Sequence, residues 1–168
     1  RERGREIFFP FEEKLIRKSV ISFGVSSYGY DIRLSNEFLL PQGVIIDPKS
    51  TNKYTKFYSD IIKLPPGYHI LGSSLEYVRV PRETIGLCFG KSTYARCGIA
   101  INITPLEPEW EGKITISIKN YSRQSVFLYP GEGIAQVIFL SADEVCEESY
   151  RDRKGKYQGQ SEVTPPRI

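Results

Sequence analysis

The amino-acid sequence predicts a mainly-β domain, built as a β-sandwich or a distorted jelly-roll barrel with few short helices. Short runs rich in Val, Ile, Tyr and Phe alternate with Gly and Pro along most of the chain, a pattern typical of many short strands joined by turns. Residues 11–20 have the composition of a helix, and there we expect one or two turns. The length of 168 residues predicts a single domain over residues 1–168.

The predicted elements follow one another in short steps. Pro and Gly at 65–67 and 130–133 indicate turns, and the polar segment 47–60 is expected to be a mobile loop. The runs that we predict as strands are 30–34, 37–40, 68–73, 76–80, 85–89, 100–103, 112–120, 125–128 and 133–140.

One predicted strand carries a regular alternation of side chains. Ile114, Ile116 and Ile118 are spaced two apart, and Thr115 and Ser117 lie between them. Because successive side chains of a strand point to opposite faces, the three isoleucines are predicted on one face and the two hydroxyl residues on the other.

Composition excludes several classes of protein. The net charge of +3 is too weak for the concentrated basic face of a nucleic-acid-binding protein, and no apolar run reaches the ~20 residues of a membrane span. The charged start, residues 1–5, does not resemble a signal peptide. Three cysteines without CxxC spacing indicate reduced thiols, and with one histidine they make a zinc site unexpected. We therefore expect a cytoplasmic protein that binds neither nucleic acid nor a membrane.

Three segments contain the residues from which we predict a binding or catalytic site. Residues 90–96 place a Lys, an Arg and two hydroxyls within a short stretch, which suits a polyanion because Lys offers a point charge and Arg a planar fork. Residues 107–112 contain three carboxylates and the only Trp, and residues 131–136 form a glycine turn that leads into a strand. The alternative for the first segment is that its charges are solvated strand ends and its hydroxyls cap a turn.

Together with residues 27–34 and 155–160, these segments resemble the trimeric dUTPase-like superfamily, and most closely its dCTP deaminase branch. The likeness covers nearly the whole chain, with the motifs in the same order. The tail discriminates within the superfamily, because 155–160 resembles the C-terminal segment of the deaminases rather than the glycine-rich arm of dUTPases. Residues 151–168 would then form a lid over the nucleotide; the alternative from composition is a disordered tail.

The resemblance implies zinc-independent hydrolytic deamination of dCTP to dUTP and ammonia, in a homotrimer whose sites lie between subunits. It also implies Mg²⁺ carried on the triphosphate with no direct protein ligand, and it leaves regulation by dTTP open. The catalytic positions that it implies are Ser92, Arg96, Glu107 and Ser117. The nucleotide-binding positions that it implies are Lys91, Ser92, Thr93, Tyr94, Ala95, Arg96, Thr115, Ile116, Ser117, Gln136, Tyr150, Lys156 and Gln160.

Ser117 departs from this family pattern, because it stands where the deaminases carry their catalytic glutamate. A serine hydroxyl is a poor base, no histidine lies near it in the sequence, and loss of a general base typically costs ~10²–10⁴-fold in rate. Three interpretations stay open. The chain binds dCTP or dUTP without reaction, or Glu107 replaces the missing carboxylate, or Glu107 activates water to split dUTP into dUMP and pyrophosphate.

Three further positions have a simpler alternative. Glu107 lies between Pro105 and Pro108 and is otherwise an ordinary turn residue. Trp110 is either a core residue or a platform for the base. Asp31, at the start of a predicted strand, is either part of the first nucleotide motif or a plain salt-bridge partner.

Overall fold

Antiparallel β-strands make up nearly all the regular structure of residues 6–167, the part of the chain that the computed structural model describes. The charged residues 1–5, on which the prediction about a signal peptide rests, and residue 168 lie outside it. The elements are β1 (Phe8–Phe9), β2 (Gly24–Val25), β3 (Tyr30–Pro41), β4 (Tyr54–Tyr58), β5 (Ile62–Leu64), β6 (His69–Arg79), β7 (Thr84–Gly90), α1 (Ser92–Arg96), β8 (Ile99–Asn102), β9 (Glu111–Asn120), β10 (Val126–Leu128) and β11 (Gly133–Ser141).

The main sheet has nine strands and curls toward a barrel. Its central path runs β7-β11-β3-β6-β9-β8, with β1 paired to β6 and with β2 and β4 paired to β3. The two ends of this path meet where Gly90 of β7 packs on Ile101 of β8, so closely that a Cβ at Gly90 would lie 3.0 Å from the Ile101 Cβ. The strands β5 and β10 form a separate two-stranded sheet. The predicted mainly-β, barrel-like architecture is confirmed.

Strand β9 shows the predicted alternation. Ile114, Ile116 and Ile118 are 2%, 0% and 0% exposed and pack in the core, whereas Thr115 and Ser117 are half-buried on the other face. The core lies inside the curled sheet, and burying each isoleucine there stabilises the fold by roughly 1.5–3 kcal/mol. Thr115 and Ser117 are consequently held on the outer face by the packing of their neighbours.

Two pairs of predicted strands are single strands in the structure. The runs 30–34 and 37–40 form β3, and the runs 68–73 and 76–80 form β6. The register between β3 and β6 shifts between Leu34 and Phe38. Such an irregularity bends a strand without ending it, which is why the polar residues at these positions do not mark turns.

Two other predictions were wrong. The segment 47–60 is not a loop throughout, because Tyr54–Tyr58 pairs along β3 and forms β4. Residues 11–20 contain no helix, and the helix of the described chain is Ser92–Arg96 within the predicted polyanion segment. Three of the five β4 residues are aromatic and one is Thr, residue types that favour strands, and β4 pairs with the edge of β3. The 11–20 segment instead makes an isolated bridge between Ile16 and Phe23.

The C-terminal tail folds back over the outer face of its own sheet. The Lys113 amide donates to the Gln160 carbonyl at 2.8 Å. Val163 is 3% exposed and packs with Leu39 and Leu71, and its amide donates to Glu37 Oε2 at 2.9 Å. The tail is therefore ordered as far as residue 167, with an apolar anchor near its end.

Candidate functional site

A cavity of about 500 Å³ lies between the third motif and the folded tail. The residues that line it come from β6, from the loop 103–110, from β9 and from the tail. They include six of the residues singled out from the sequence, namely Glu107, Trp110, Thr115, Tyr150, Lys156 and Gln160. The tertiary structure thus brings together distant segments of the chain, since Leu71 of β6 and Pro166 of the tail share one cavity.

Trp110 fixes the tail over this cavity. Its indole N–H donates to the Tyr157 carbonyl at 3.0 Å, and the Tyr157 amide donates to the Tyr150 hydroxyl at 3.0 Å. Trp110 is 6% exposed and belongs to the core cluster, yet it also lines the cavity. The two interpretations of Trp110 are therefore not exclusive, because the residue packs in the core and also borders the cavity.

Thr115 and Gln160 join β9 to the end of the tail. The Thr115 hydroxyl oxygen accepts the Thr164 amide at 3.1 Å, and Gln160 Nε2 donates to the Lys113 carbonyl at 2.6 Å. Gln160 Oε1 is buried with no hydrogen-bond partner among the described residues. Lys156 Nζ donates to the Arg167 carbonyl at 2.6 Å on the exposed side. Gln160 is therefore held by β9, and Lys156 by a contact within the tail.

Glu107 is not a free carboxylate. It forms an ion pair with Arg153 of the tail, and both side chains are less than half exposed. This pair joins the third motif to the tail, and Glu107 still lines the cavity.

Further charges of the tail form a network beside this pair. Arg82 binds Glu109 at 2.6 Å and Asp152 at 2.8 Å. The Ser149 amide, together with Arg82, holds the pKa of Asp152 at about 2. Asp152 therefore stays ionised in neutral solution and keeps its contacts, which hold the start of the tail against the third motif.

The polyanion segment meets the first and fourth motifs at a second location. Lys91 Nζ lies 2.5 Å from Asp31 Oδ2 and donates to the Ser22 hydroxyl at 2.8 Å. Gln136 Nε2 donates to the other Asp31 oxygen at 3.0 Å. Asp31 is 2% exposed, so it is a salt-bridge partner, and it orders Lys91 and Gln136.

The remaining residues of this segment lie on α1. Ser92, Thr93, Ala95 and Arg96 are exposed, and Arg96 donates to the Ser92 carbonyl at 3.1 Å. Tyr94 differs, because it is 2% exposed and burial raises its pKa to about 12. Any nucleotide contact from Tyr94, or from the fully buried Ile116, must come from the main chain.

The two groups of site residues stay apart within one chain. Among the described residues that line the cavity, none comes from 91–96. A complete site built from both groups needs either a second copy of the chain or a large movement of the tail.

Ser117 has a partner that sequence reasoning missed. Its Oγ lies 2.9 Å from Nε2 of His69, the only histidine of the chain. The two residues are 48 positions apart, and no local pattern links them. Burial, and secondarily the Lys119 ammonium, lowers the pKa of His69 below its usual 6.5, so the imidazole is neutral at pH 7. Ser117 does not line the cavity, but it pairs in register with Leu71, which does.

Comparison with known proteins identifies the family. The family model described as dCTP deaminase-like matches residues 3–142. The chain belongs to the dCTP deaminase-like family. A protein named dCTP deaminase from Methylococcus capsulatus is 50% identical over 176 residues, which cover 99% of this chain and 93% of that protein. Another of that name from Paramagnetospirillum magneticum is 52% identical over 164 residues, covering 95% and 89%.

Solved structures show the same fold at low identity. A 2′-deoxycytidine 5′-triphosphate deaminase from Agrobacterium tumefaciens has a TM-score of 0.59 at 14% identity, over 70% of this chain and 40% of that one. A dUTPase of EIAV has a TM-score of 0.51 at 17% identity, over 80% and 92% of the two chains. These similarities confirm the predicted dUTPase-like fold of this dCTP deaminase-like chain.

The described residues of this dCTP deaminase-like chain contain no group of three or more His, Cys, Asp or Glu placed to hold a metal ion. Cys88, Cys97 and Cys146 are free thiols, and burial raises the pKa of Cys88 to about 12. No helix of residues 6–167 has both the length and the apolar content that a membrane crossing requires.

Proposed function

We propose that this chain hydrolytically deaminates dCTP to dUTP and ammonia. The observation that carries the proposal is the cavity in which third-motif residues and tail residues meet, in a chain about half identical to proteins named dCTP deaminase. Its volume of about 500 Å³ lies within the range of small-molecule sites, roughly 300–1,000 Å³.

In this proposal the two groups of site residues bind different parts of the nucleotide. The phosphates are bound by Lys91, Ser92, Thr93 and Arg96. Lys91 and Arg96 supply positive charge, and the two hydroxyls donate hydrogen bonds to the remaining phosphate oxygens. Thr115 and the main chain around Ile116 and Ser117 face the base. The remaining contacts come from Gln136, Tyr150, Lys156 and Gln160.

The separation of these groups within one chain supports a homotrimer with sites shared between subunits. One copy would present residues 91–96 to the cavity of its neighbour, which has none of its own from that segment. Exposed apolar side chains such as Val44 and Ile45, 102% and 81% exposed, are consistent with further burial by another copy.

Mg²⁺ is proposed to arrive bound to the triphosphate. The described residues offer no acidic cluster for it, whereas the phosphates supply the oxygen ligands that this cation prefers. When bound, Mg²⁺ neutralises phosphate charge. Lys91 and Arg96 would orient the triphosphate against α1. We further propose a cytoplasmic location.

The test is product analysis with two substrates. The purified protein is incubated with dCTP and, separately, with dUTP, both with Mg²⁺. The products are separated by anion exchange, and ammonia is measured in parallel. We expect dUTP and ammonia in equal amounts from dCTP, and no reaction of dUTP.

The alternatives give different products. Formation of dUMP and pyrophosphate from dUTP, with dCTP untouched, would replace the proposal with a diphosphatase. In that case Glu107, which lines the cavity, would be the carboxylate that activates water. Tight nucleotide binding without any product would identify an inactive binder.

A further inference from the structure

The outer face of the sheet carries a hydroxyl and an imidazole in direct contact. Ser117 of β9 and His69 of β6 lie on neighbouring antiparallel strands, where Leu71 pairs with Ser117 and His69 pairs with Lys119. His69 is therefore the diagonal neighbour of Ser117 across the two strands, and its Nε2 lies 2.9 Å from Ser117 Oγ. A hydroxyl at this distance from an imidazole nitrogen has the geometry of an activated nucleophile or a proton relay.

The pair borders the proposed nucleotide cavity. Thr115 lies on the same face of β9 as Ser117, two residues away, and Leu71 bears the same relation to His69 on β6. Both Thr115 and Leu71 line the cavity. A two-residue step along a strand covers about 7 Å, so Ser117 lies about that distance along β9 from Thr115, and His69 about that distance along β6 from Leu71.

We propose that Ser117 and His69 together replace the missing catalytic carboxylate, with Ser117 Oγ relaying a proton between the attacking water and His69 Nε2. This inference rests on the proposed function. Ser117 contacts the attacking water. His69 does not contact the water; it is a positioning residue that orients the Ser117 hydroxyl and takes up the proton through it.

The proton balance of the reaction is complete with this pair. Water loses a proton to Ser117 Oγ as the Ser117 hydroxyl proton moves to His69 Nε2, and the new C4–O bond forms. The imidazolium then returns this proton through Ser117 to N3 of the pyrimidine. In a second pass of the relay, the proton of the new C4–OH group moves through Ser117 and His69 to N4, the C4–N4 bond breaks and the C4=O bond forms. The two protons of the water end on N3 of dUTP and on the departing ammonia. No oxidant, reductant or further reactant is consumed.

The surroundings of His69 favour its neutral form, which is the form that accepts a proton. Burial is the main cause of its lowered pKa, and Lys119 is the charged group that acts on it among the described residues. The Lys119 ammonium itself donates to the Gly67 carbonyl, beside the start of β6. The activity should therefore rise with pH as His69 loses its proton, at a pH below 6.5, and stay level above it.

The central test compares four proteins with dCTP and Mg²⁺: wild type, His69→Gln, Ser117→Glu, and the double variant Ser117→Glu/His69→Gln. Gln at 69 can still hydrogen-bond Ser117 but cannot take up a proton, so a merely structural role is preserved. We expect His69→Gln to lower kcat by about 10²–10⁴-fold with little change in KM. The double variant should recover the activity of Ser117→Glu, because a carboxylate needs no imidazole behind it.

Two further measurements keep the result interpretable. The exposed Ser125→Glu is the matched control for placing a glutamate at a serine position and should match wild type. Since the chain has a single histidine, one imidazole signal in an NMR titration reports its pKa without any substitution. The pKa of His69 should coincide with the acidic limb of the kcat/KM profile of the wild type. It should not set the pH dependence of kcat/KM in Ser117→Glu.

The outcomes separate the relay from the proposed function. A wild type that deaminates dCTP equally well with Gln at 69, or whose acidic limb does not follow the histidine titration, overturns the relay and leaves the function standing. A wild type that releases no ammonia, while Ser117→Glu does, overturns both the function of the native chain and the relay. Loss of kcat in His69→Gln with recovery in the double variant supports both.

Discussion

Replacing Asp31 with Asn should destabilise this protein strongly, because it leaves a positive charge without its partner. Asp31 is 2% exposed and receives Lys91 at 2.5 Å and Gln136 at 3.0 Å. The Lys91 side chain is 13% exposed, so water replaces the lost carboxylate poorly. Breaking one partner of such a buried pair costs about 3–5 kcal/mol. For a chain of this length that corresponds to a fall in Tm of roughly 6–20 °C.

The assay is thermal unfolding of Asp31→Asn, Lys91→Met and the double variant at one protomer concentration, because the Tm of an oligomer depends on concentration. The double variant removes both charges, so its loss should fall short of the sum of the single losses by about 0.5–3 kcal/mol. The exposed Asp143→Asn is the control and should stay within about 0.5 kcal/mol of wild type. Additive losses, or an Asp31→Asn variant as stable as the control, would refute the pairing.

Three other outcomes are expected. Ile116→Ala should lower the free energy of unfolding by about 2–5 kcal/mol in urea titrations, since Ile116 is fully buried; an unchanged midpoint would contradict the core described. A chain that ends at Gln160 lacks Val163, which packs on Leu71. We expect this variant to have a higher KM for dCTP and a lower Tm than the full chain. Unchanged KM and Tm would show that Val163 does not hold the tail in place. Cys97, exposed, should be alkylated at pH 8 well before Cys88, whose pKa burial raises to about 12, as peptide mass spectrometry would show; faster labelling of Cys88 would contradict its burial.

The strand positions were largely predictable because each depends on local alternation and punctuation. The isoleucines of β9 point inward as their spacing requires, and the turn at 65–67 separates β5 from β6 as its Pro and Gly indicate. Strand β4 was missed because residues 54–58 were grouped with the polar residues before them. Three of its five residues are aromatic and one is Thr, which favours a strand, and the backbone pairs with the edge of β3.

The candidate site was predictable in its residue types and only partly in its contacts. The likeness of 107–112 and 155–160 to nucleotide motifs indicated which residues to examine, and the tail does bring Gln160 to the cavity that Glu107 also lines. The ion pair between Glu107 and Arg153 had no sequence signal. It depends on the path of the tail across the sheet, which is set by packing at Trp110 and Val163.

The sequence alone was enough for the β architecture, the inward face of β9 and the family likeness, since strand alternation and motifs are short-range patterns. The family likeness also predicted a catalytic glutamate at the position where Ser117 stands. The sequence did not reveal that His69 lies 2.9 Å from that serine, because strand pairing joins residues far apart in the chain. The register of β6 against β9 places this imidazole on the serine, and register is fixed by the burial of whole strands rather than by either residue.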